Sequence, residues 1–221
     1  MKTPDMKVPH KELIPSRAAK RAHFDAATIY PILDEAFYCT VSYVFENRPF
    51  SIPTAFVRYE DKIYIHGSVG SHFIREIEKG IPVCISITLM DALVIAKSAF
   101  SHSVNYRSVV IFGQANKVET EEDKMLAFEW LTNKTVPESW DYLRPVTKSE
   151  IRKTTVLAFE LDQASAKIRN GMPNDEAEDQ ELPIWSGIIP LETRRLAPLA
   201  DESSMHMALP PHLTEKSSGI V

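Results

Sequence analysis

Residues 64–72 carry the pattern of a strand end, a tight turn and a helix start: Tyr64-Ile65-His66-Gly67-Ser68-Val69-Gly70-Ser71-His72. Tyr64 and Ile65 are of the aromatic and β-branched types that favour strands. The two glycines permit tight backbone turns, and Ser71 is a preferred helix N-cap. A helix is therefore predicted over residues 71–79, with Gly80 as its C-terminal stop.

The same turn carries hydrogen-bonding groups that suit an anion. Ser68 and Ser71 offer hydroxyls, His66 and His72 offer imidazoles, and a helix start offers free N–H groups. The turn is not a Walker loop, because the Gly-Lys-Ser/Thr ending is missing. No third ligand has convincing spacing from the two histidines, so no metal site is expected. A plain turn in which Ser71 is only an N-cap explains the pattern equally well, and both alternatives stay open here.

The chain around this turn is rich in strand patterns. Residues 83–97 and 106–118 are almost continuously apolar, which indicates burial on both faces, as in a barrel. Helices are predicted over residues 26–36, with Pro31 in the first turn, and from Thr120 to about residue 132, with a second capping box at residues 147–150. The fold class is mainly β with helices (α+β). The other predicted strands cover residues 37–45, 50–58, 62–65, 155–161 and 166–169.

Composition limits the kind of protein and its partners. The 221 residues are 44% hydrophobic and 25% charged, with a net charge of −5, and no basic stripe marks a nucleic-acid partner. No stretch approaches the roughly 20 apolar residues that span a bilayer, so no membrane partner is expected. Cys39 and Cys84 lie in apolar runs, which favours a reducing compartment. With no apolar signal-peptide core at the N-terminus, a cytoplasmic location is predicted.

Three regions are predicted along the chain. Residues 1–24 are polar and broken by prolines, which indicates an N-terminal arm. Residues 25–192 form the domain. Residues 193–221 contain further prolines and a Ser-Ser-Gly terminus, which predicts a loosely held C-terminal tail.

Two further features suggest a ligand site. Arg107 enters an apolar strand, where a charge needs a partner: a phosphate or a structural carboxylate. Residues 101–103, Ser-His-Ser, lack both a nucleophile elbow and an orienting acid, so a hydrolase triad is not favoured. Trp185, two residues before Gly187, can fill the core or stack on a planar ligand.

Taken together, residues 64–72, 82–89, 98–113 and 164–169 resemble the FMN-binding split-barrel family related to pyridoxamine 5′-phosphate oxidase. The resemblance is greatest to the branch with flavin-nucleotide-binding and nitroimidazole-resistance proteins, and it covers residues 20–192. It implies a six-stranded antiparallel split β-barrel, FMN as cofactor and a homodimer whose partner subunit closes the site.

The resemblance also assigns residues to the cofactor. The flavin phosphate is expected at the turn, the strand starting near Arg107 is expected to face FMN, and backbone of an earlier strand is expected beside the ring. Trp185 is the candidate contact from the partner subunit. The assigned residues are His66, Ser68, Ser71, His72, Arg107, Ser108, Pro53, Thr54, Ala55 and Trp185.

One departure from the family affects the predicted function. The oxidase surrounds the phosphate with Arg and Lys, whereas here His72 lies near the expected lysine and residues 51–57 contain no cation. This puts pyridoxamine phosphate oxidation in doubt and implies neutral hydrogen bonds to the phosphate. The predicted function is an FMN-dependent oxidoreductase acting on a small molecule. The alternatives are a non-catalytic flavin-binding module for storage or sensing, and a haem-binding split barrel.

Overall fold

Two antiparallel sheets form the centre of the protein in the computed structural model, which describes residues 19–214. The strands are β1 (Ala22–His23), β2 (Tyr38–Phe45), β3 (Arg48–Ala55), β4 (Val57–Tyr59), β5 (Lys62–Ser68), β6 (Val83–Ile95), β7 (Ser103–Gly113), β8 (Asn116–Lys117), β9 (Thr154–Glu160), β10 (Ala164–Arg169) and β11 (Gly187–Pro190). The helices are α1 (Ala26–Glu35), α2 (His72–Ile77), α3 (Glu121–Thr135), α4 (Lys148–Lys153) and α5 (Pro211–Thr214).

The strand order gives a split barrel. The larger sheet has the order β1-β10-β7-β6-β2-β3, with β11 paired to the far end of β6, and the smaller sheet has the order β4-β5-β9-β8. Only the buried Phe56 separates β3 from β4, so the chain passes directly from one sheet to the other there. The predicted class is confirmed. The described residues hold more strands than the six predicted, because short strands such as β1, β4 and β8 extend the sheets at their edges.

Helix α1 covers one end of the core, with one difference from the sequence prediction. The side chain of Asp25 caps the helix by accepting from the Thr28 N–H at 2.8 Å, and Ile29 and Leu33 are fully buried. Pro31 is the sixth residue of the helix, so its predicted place in the first turn is wrong. Pro31 is tolerated because it lies on the exposed side, where water can solvate the carbonyl that loses its donor.

The larger sheet has one buried and one open face. Its inner face packs the core with residues such as Val41, Ile85 and Ile111. The strand registers place the alternate residues together on the other side, which we call the outer face, and none of these central residues is charged. The outer face includes Tyr38, Thr40, Ser42, Val44, Pro53, Cys84, Ser86, Thr88, Met90, Ser108, Val110 and Phe112.

Both ends of the predicted domain are held to it. Strand β1 pairs with β10, so the sheet already begins at Ala22. In the predicted tail, Arg195 donates to the carbonyl of Thr135 at 2.7 Å, and the buried His212 stacks on Tyr142 with ring centroids 4.1 Å apart. Arg195 and His212 thus contact the rest of the protein, while most residues between them are exposed, so the loosely held tail stays a prediction. Residues 1–18 of the arm and 215–221 of the tail lie outside the described part. None of the helices within residues 19–214 is long and apolar enough to cross a membrane.

Candidate functional site

The turn after β5 has the local structure that its sequence predicts. Ser71 is the N-cap of α2, although the distance from the Ile74 N–H to its hydroxyl oxygen is long, at 3.5 Å. The Val69 N–H donates to the carbonyl of Lys153 at 3.0 Å, which ties the turn to the end of α4. Gly67 is required for close packing, because a Cβ there would lie 2.6 Å from the side chain of Ile74.

Four of the predicted site residues come together in this turn. His66, Ser68 and His72 are exposed and Ser71 is half-buried. The N–H groups at the start of α2 have no acceptor within the helix. The Ser71 hydroxyl accepts from the Ile74 N–H, and the Ser68 hydroxyl accepts from the Gly70 N–H at 3.2 Å, just before the helix. Helix α2 has only six residues. Hydrogen bonds from neutral groups, rather than the dipole of a long helix, are therefore what this turn offers an anion.

His66 also faces a cavity of about 490 Å³, which we call the His66 cavity. Its walls come from β5, α3, α4 and the connection between α3 and α4. Most of the lining is apolar or aromatic, and partial desolvation by these walls lowers the pKa of His66, which favours the neutral imidazole. The lining residues are His66, Phe128, Leu131, Thr132, Trp140, Leu143, Arg144, Val146, Glu150 and Thr154.

Sequence reasoning did not identify the wall opposite His66. Arg144 and Glu150 form a two-point ion pair there, with distances of 2.6 and 3.0 Å. Hydrogen bonds from Arg144 and from Thr147 hold the pKa of Glu150 at about 2. The capping box at residues 147–150 was the only local signal, and it indicates a helix start rather than a cavity.

Arg107 is paired with two carboxylates. Its guanidinium donates to Glu35, with one distance of 2.8 Å, and to Asp91 at 2.7 to 3.2 Å. Asp91 sits at an irregularity in the pairing of β6 with β7. These bonds, from Glu35 first and then Asp91, raise the pKa of Arg107. Of the two partners left open by the sequence, the structure shows the carboxylates.

The cavity beside Arg107 is acidic. It has a volume of about 460 Å³, and its charged lining consists of Arg107 and the three carboxylates Glu35, Asp91 and Glu192. Arg107 therefore does not present a free cation to a phosphate. Ser108 points the other way, onto the outer face, and its hydroxyl donates to the carbonyl of Lys167 at 3.2 Å.

The remaining predicted residues lie at the surface. Pro53 and Ala55 are exposed on the outer face of the edge strand β3, and Thr54 points to the opposite face. Strand β3 also contacts β5. Trp185 is 66% exposed, so it does not fill the core, and its ring covers Gly187 so closely that a Cβ there would lie 2.9 Å away. Within residues 19–214 no group of three or more His, Cys, Asp or Glu could hold a metal ion.

Comparison with known proteins identifies the family. The family model described as pyridoxamine 5′-phosphate oxidase matches residues 25–168. The flavocytochrome Anf3 from Azotobacter vinelandii is 32% identical, with a TM-score of 0.89 over 96% of this chain and 99% of that one. An FAD and haem binding protein from Mycobacterium smegmatis is 31% identical, with a TM-score of 0.86 over 90% and 98%. No curated protein sequence gives a significant match.

A third structure supports the fold alone. It is a candidate 5-nitroimidazole antibiotic resistance protein from Bacteroides thetaiotaomicron, 22% identical, with a TM-score of 0.57 over 66% of this chain and 86% of that one. The fold and the turn after β5 thus define a split-barrel protein. The chain belongs to the pyridoxamine 5′-phosphate oxidase family.

Proposed function

We propose that this chain is a redox protein that binds a flavin nucleotide and, in the His66 cavity, a haem. Two relatives above 30% identity, matched over almost their whole length, are a flavocytochrome and an FAD and haem binding protein. The observation that carries the proposal is the end of β5. It presents an anion-binding turn and, within the same few residues, a neutral histidine facing an apolar cavity.

The flavin phosphate would be held by neutral donors. Ser68, Ser71 and His72 surround the free N–H groups at the start of α2, and no Arg or Lys lies between residues 63 and 74. The exposed Pro53 and Ala55, on a strand that contacts β5, offer a surface for the flavin ring. The resemblance predicts FMN, whereas the M. smegmatis relative binds FAD. Chromatography of the released flavin distinguishes the two.

The His66 cavity fits a haem. A neutral imidazole is a common haem-iron ligand, and Phe128, Leu131 and Trp140 supply walls of the right polarity. Arg144 supplies a cation for a carboxylate of the ligand. When bound, the haem would supply one-electron chemistry, while the protein supplies the ligand, the apolar walls and the orientation. The turn after β5 lacks the Arg and Lys residues that surround the phosphate in the oxidase. We therefore do not propose pyridoxamine phosphate as the substrate.

Cofactor content tests this proposal. The purified protein should release about one flavin per chain on denaturation, and added hemin should give a Soret band shifted from that of free hemin. Reduction by NAD(P)H and reoxidation by an acceptor would support an oxidoreductase acting on a small molecule. Flavin that no donor reduces would instead indicate a storage or sensing module. A protein that takes up neither cofactor contradicts the proposal.

We also propose that the chain forms a homodimer through the outer face. Four paired strands, β3, β2, β6 and β7, expose an uncharged surface there that includes Tyr38, Val44 and Met90. Exposed apolar surface of this extent is characteristic of protein–protein interfaces. The partner subunit would then contact the surface of β3 that we propose for the flavin ring. Trp185 is the candidate residue for that contact.

Light scattering should give twice the chain mass of 25.0 kDa. Phe112→Arg puts a charge on the outer face, where the ring is 36% exposed, and should shift the protein toward monomer because an unpaired charge is costly to bury. Leu126→Arg, at an apolar position of α3 that is 45% exposed, is the matched control and should stay dimeric. A wild-type monomer at micromolar concentration with flavin bound would exclude a shared site.

A further inference from the structure

We infer that Arg144 is the anion anchor of the His66 cavity and that it selects ligands carrying a carboxylate beside an apolar body. This inference rests on the proposed haem site and specifies which chemical groups of the ligand are recognised. Of the lining residues, Arg144 is the single one with a permanent positive charge. It lies on the connection between α3 and α4, across the cavity from the β5 strand that carries His66.

The hydrogen-bond geometry leaves one edge of the Arg144 guanidinium free. Its Nη1 donates to Glu150 at 3.0 Å and to the carbonyl of Pro145 at 2.9 Å, and its Nη2 donates to Glu150 at 2.6 Å. A guanidinium has five N–H donors. The Nε–H and one Nη2–H therefore have no partner among the described residues. These two parallel donors form the fork that binds a carboxylate at two points.

Glu150 holds this fork in place. Its carboxylate accepts from the Thr147 N–H at 2.8 Å and from the Thr147 hydroxyl at 2.9 Å, so the capping box fixes it at the start of α4. The same carboxylate also accepts two hydrogen bonds from the Arg144 guanidinium. A rigid helix start thereby orients a guanidinium that is otherwise 67% exposed, which reduces the entropy lost when a ligand binds. Glu150 is a positioning residue in this arrangement.

The segment that carries Arg144 has an excess of cations despite Glu150. Residues 141–153 contain four cations, Arg144, Lys148, Arg152 and Lys153, and two carboxylates, Asp141 and Glu150. The formal charge of the segment is therefore +2, in a chain whose net charge is −5. A ligand carboxylate that binds the free edge of Arg144 is therefore held by a segment of positive formal charge.

The anchor role of Arg144 predicts that the protein distinguishes haem from its dimethyl ester. Haem carries two propionate carboxylates, and its dimethyl ester has the same ring and iron without those charges. If Arg144 is the anchor, the free acid gains affinity from it and the ester does not. Ligation of the iron by His66 is common to both forms, so comparing them separates the anchor from the ligand.

The experiment titrates full-length protein with hemin and with hemin dimethyl ester in one detergent-containing buffer, following the Soret band and competition by apomyoglobin. Arg144→Gln should weaken hemin binding roughly fivefold, the upper range for a solvent-exposed ion pair, and leave the ester unchanged. Arg144→Lys keeps the charge but not the planar fork and should recover only part of the loss. Arg152→Gln, which removes a charge from the same segment outside the cavity lining, is the matched control for the general charge and should weaken hemin binding less than Arg144→Gln.

The outcomes separate the two proposals. Equal hemin affinity in wild type and Arg144→Gln, with a normal Soret shift in both, overturns the anchor while the haem site stands. An equal loss for hemin and its ester shows a structural effect and also overturns it. If wild type binds neither form, the haem proposal and the anchor both fail. Circular dichroism melting of each variant checks that the capping box at α4 is intact.

Discussion

Replacing His66 with alanine should abolish the histidine-ligated Soret band while leaving flavin binding largely intact. His66 faces the cavity from an exposed position on β5, so its removal opens no hole in the core. Loss of the iron ligand should weaken hemin binding by at least the roughly 10–100-fold that loss of an outer-shell partner typically costs at metal sites. Added imidazole, a free copy of the lost side chain, should restore the band in the alanine variant.

His72→Ala is the matched control, since it removes the other histidine of the same turn. The His72 ring packs edge-on against Phe45 at 4.9 Å and does not line the His66 cavity. This variant should keep the Soret band and lose flavin affinity, the reverse of His66→Ala. If His66→Ala keeps an unchanged Soret band, the iron ligand lies elsewhere and the haem assignment fails.

The pH dependence of the haem site follows from the pKa of His66. Partial desolvation by the cavity walls lowers this pKa below its ordinary value of 6.5, so the neutral imidazole persists to lower pH than that of a fully solvated histidine. As the pH falls through 6.5, the unfolded chain binds a proton at this position before the folded protein does. His66 therefore lowers the free energy of unfolding over the window between 6.5 and its lower folded value. In His66→Ala, the free energy of unfolding should change less with pH over that window.

Much of the fold could be predicted from local sequence, because local patterns determine it. Caps at Ser71, Thr120 and Thr147 fixed three helix starts within a residue or so, and apolar runs located the long strands β6 and β7. The predicted burial of both faces of these strands was wrong, because their alternate residues lie on the open outer face. Pro31 was misplaced because the prediction assumed that a proline must fall where its missing N–H costs nothing. The exposed side of a packed helix tolerates it as well.

The partners of Arg107 show what local patterns leave out. Glu35 is 72 positions away in the chain and is brought close by the packing of α1 on the sheet. Asp91 could have been found, because Asp91 and Arg107 are the only charged residues in β6 and β7. Two isolated opposite charges on neighbouring antiparallel strands favour a pair.

The His66 cavity could not be predicted for the same reason. One wall comes from β5 and the others from residues 128–154, which are far from β5 in sequence and meet it only in the tertiary structure. Nothing in the local patterns around Trp140 or Arg144 indicates that they face His66. The turn residues, by contrast, lie within seven consecutive positions, 66–72, and so could be predicted together.

Ser71→Asp should abolish flavin binding while leaving the apo protein almost as stable as wild type. Aspartate is as good an N-cap as serine, so the start of α2 should hold, but its carboxylate would repel the flavin phosphate. Ser71→Ala removes both the cap and the hydroxyl. Because the capping distance is long, at 3.5 Å, its cost in unfolding free energy should lie near the lower end of about 0.5–2 kcal/mol.

The two substitutions separate capping from phosphate binding. Loss of one charge-assisted hydrogen bond should cost Ser71→Ala about 1.5–3 kcal/mol of binding free energy, or roughly a ten- to hundredfold weaker dissociation constant. Ser71→Asp should fall below detection, although its apo melting temperature stays close to that of wild type. If the turn served only as a helix start, the order of flavin affinities would be reversed, and Ser71→Asp would bind flavin normally. Titration of flavin into each apo variant, followed by fluorescence quenching, decides between them, and equal affinity in wild type and Ser71→Asp would place the phosphate away from the turn after β5.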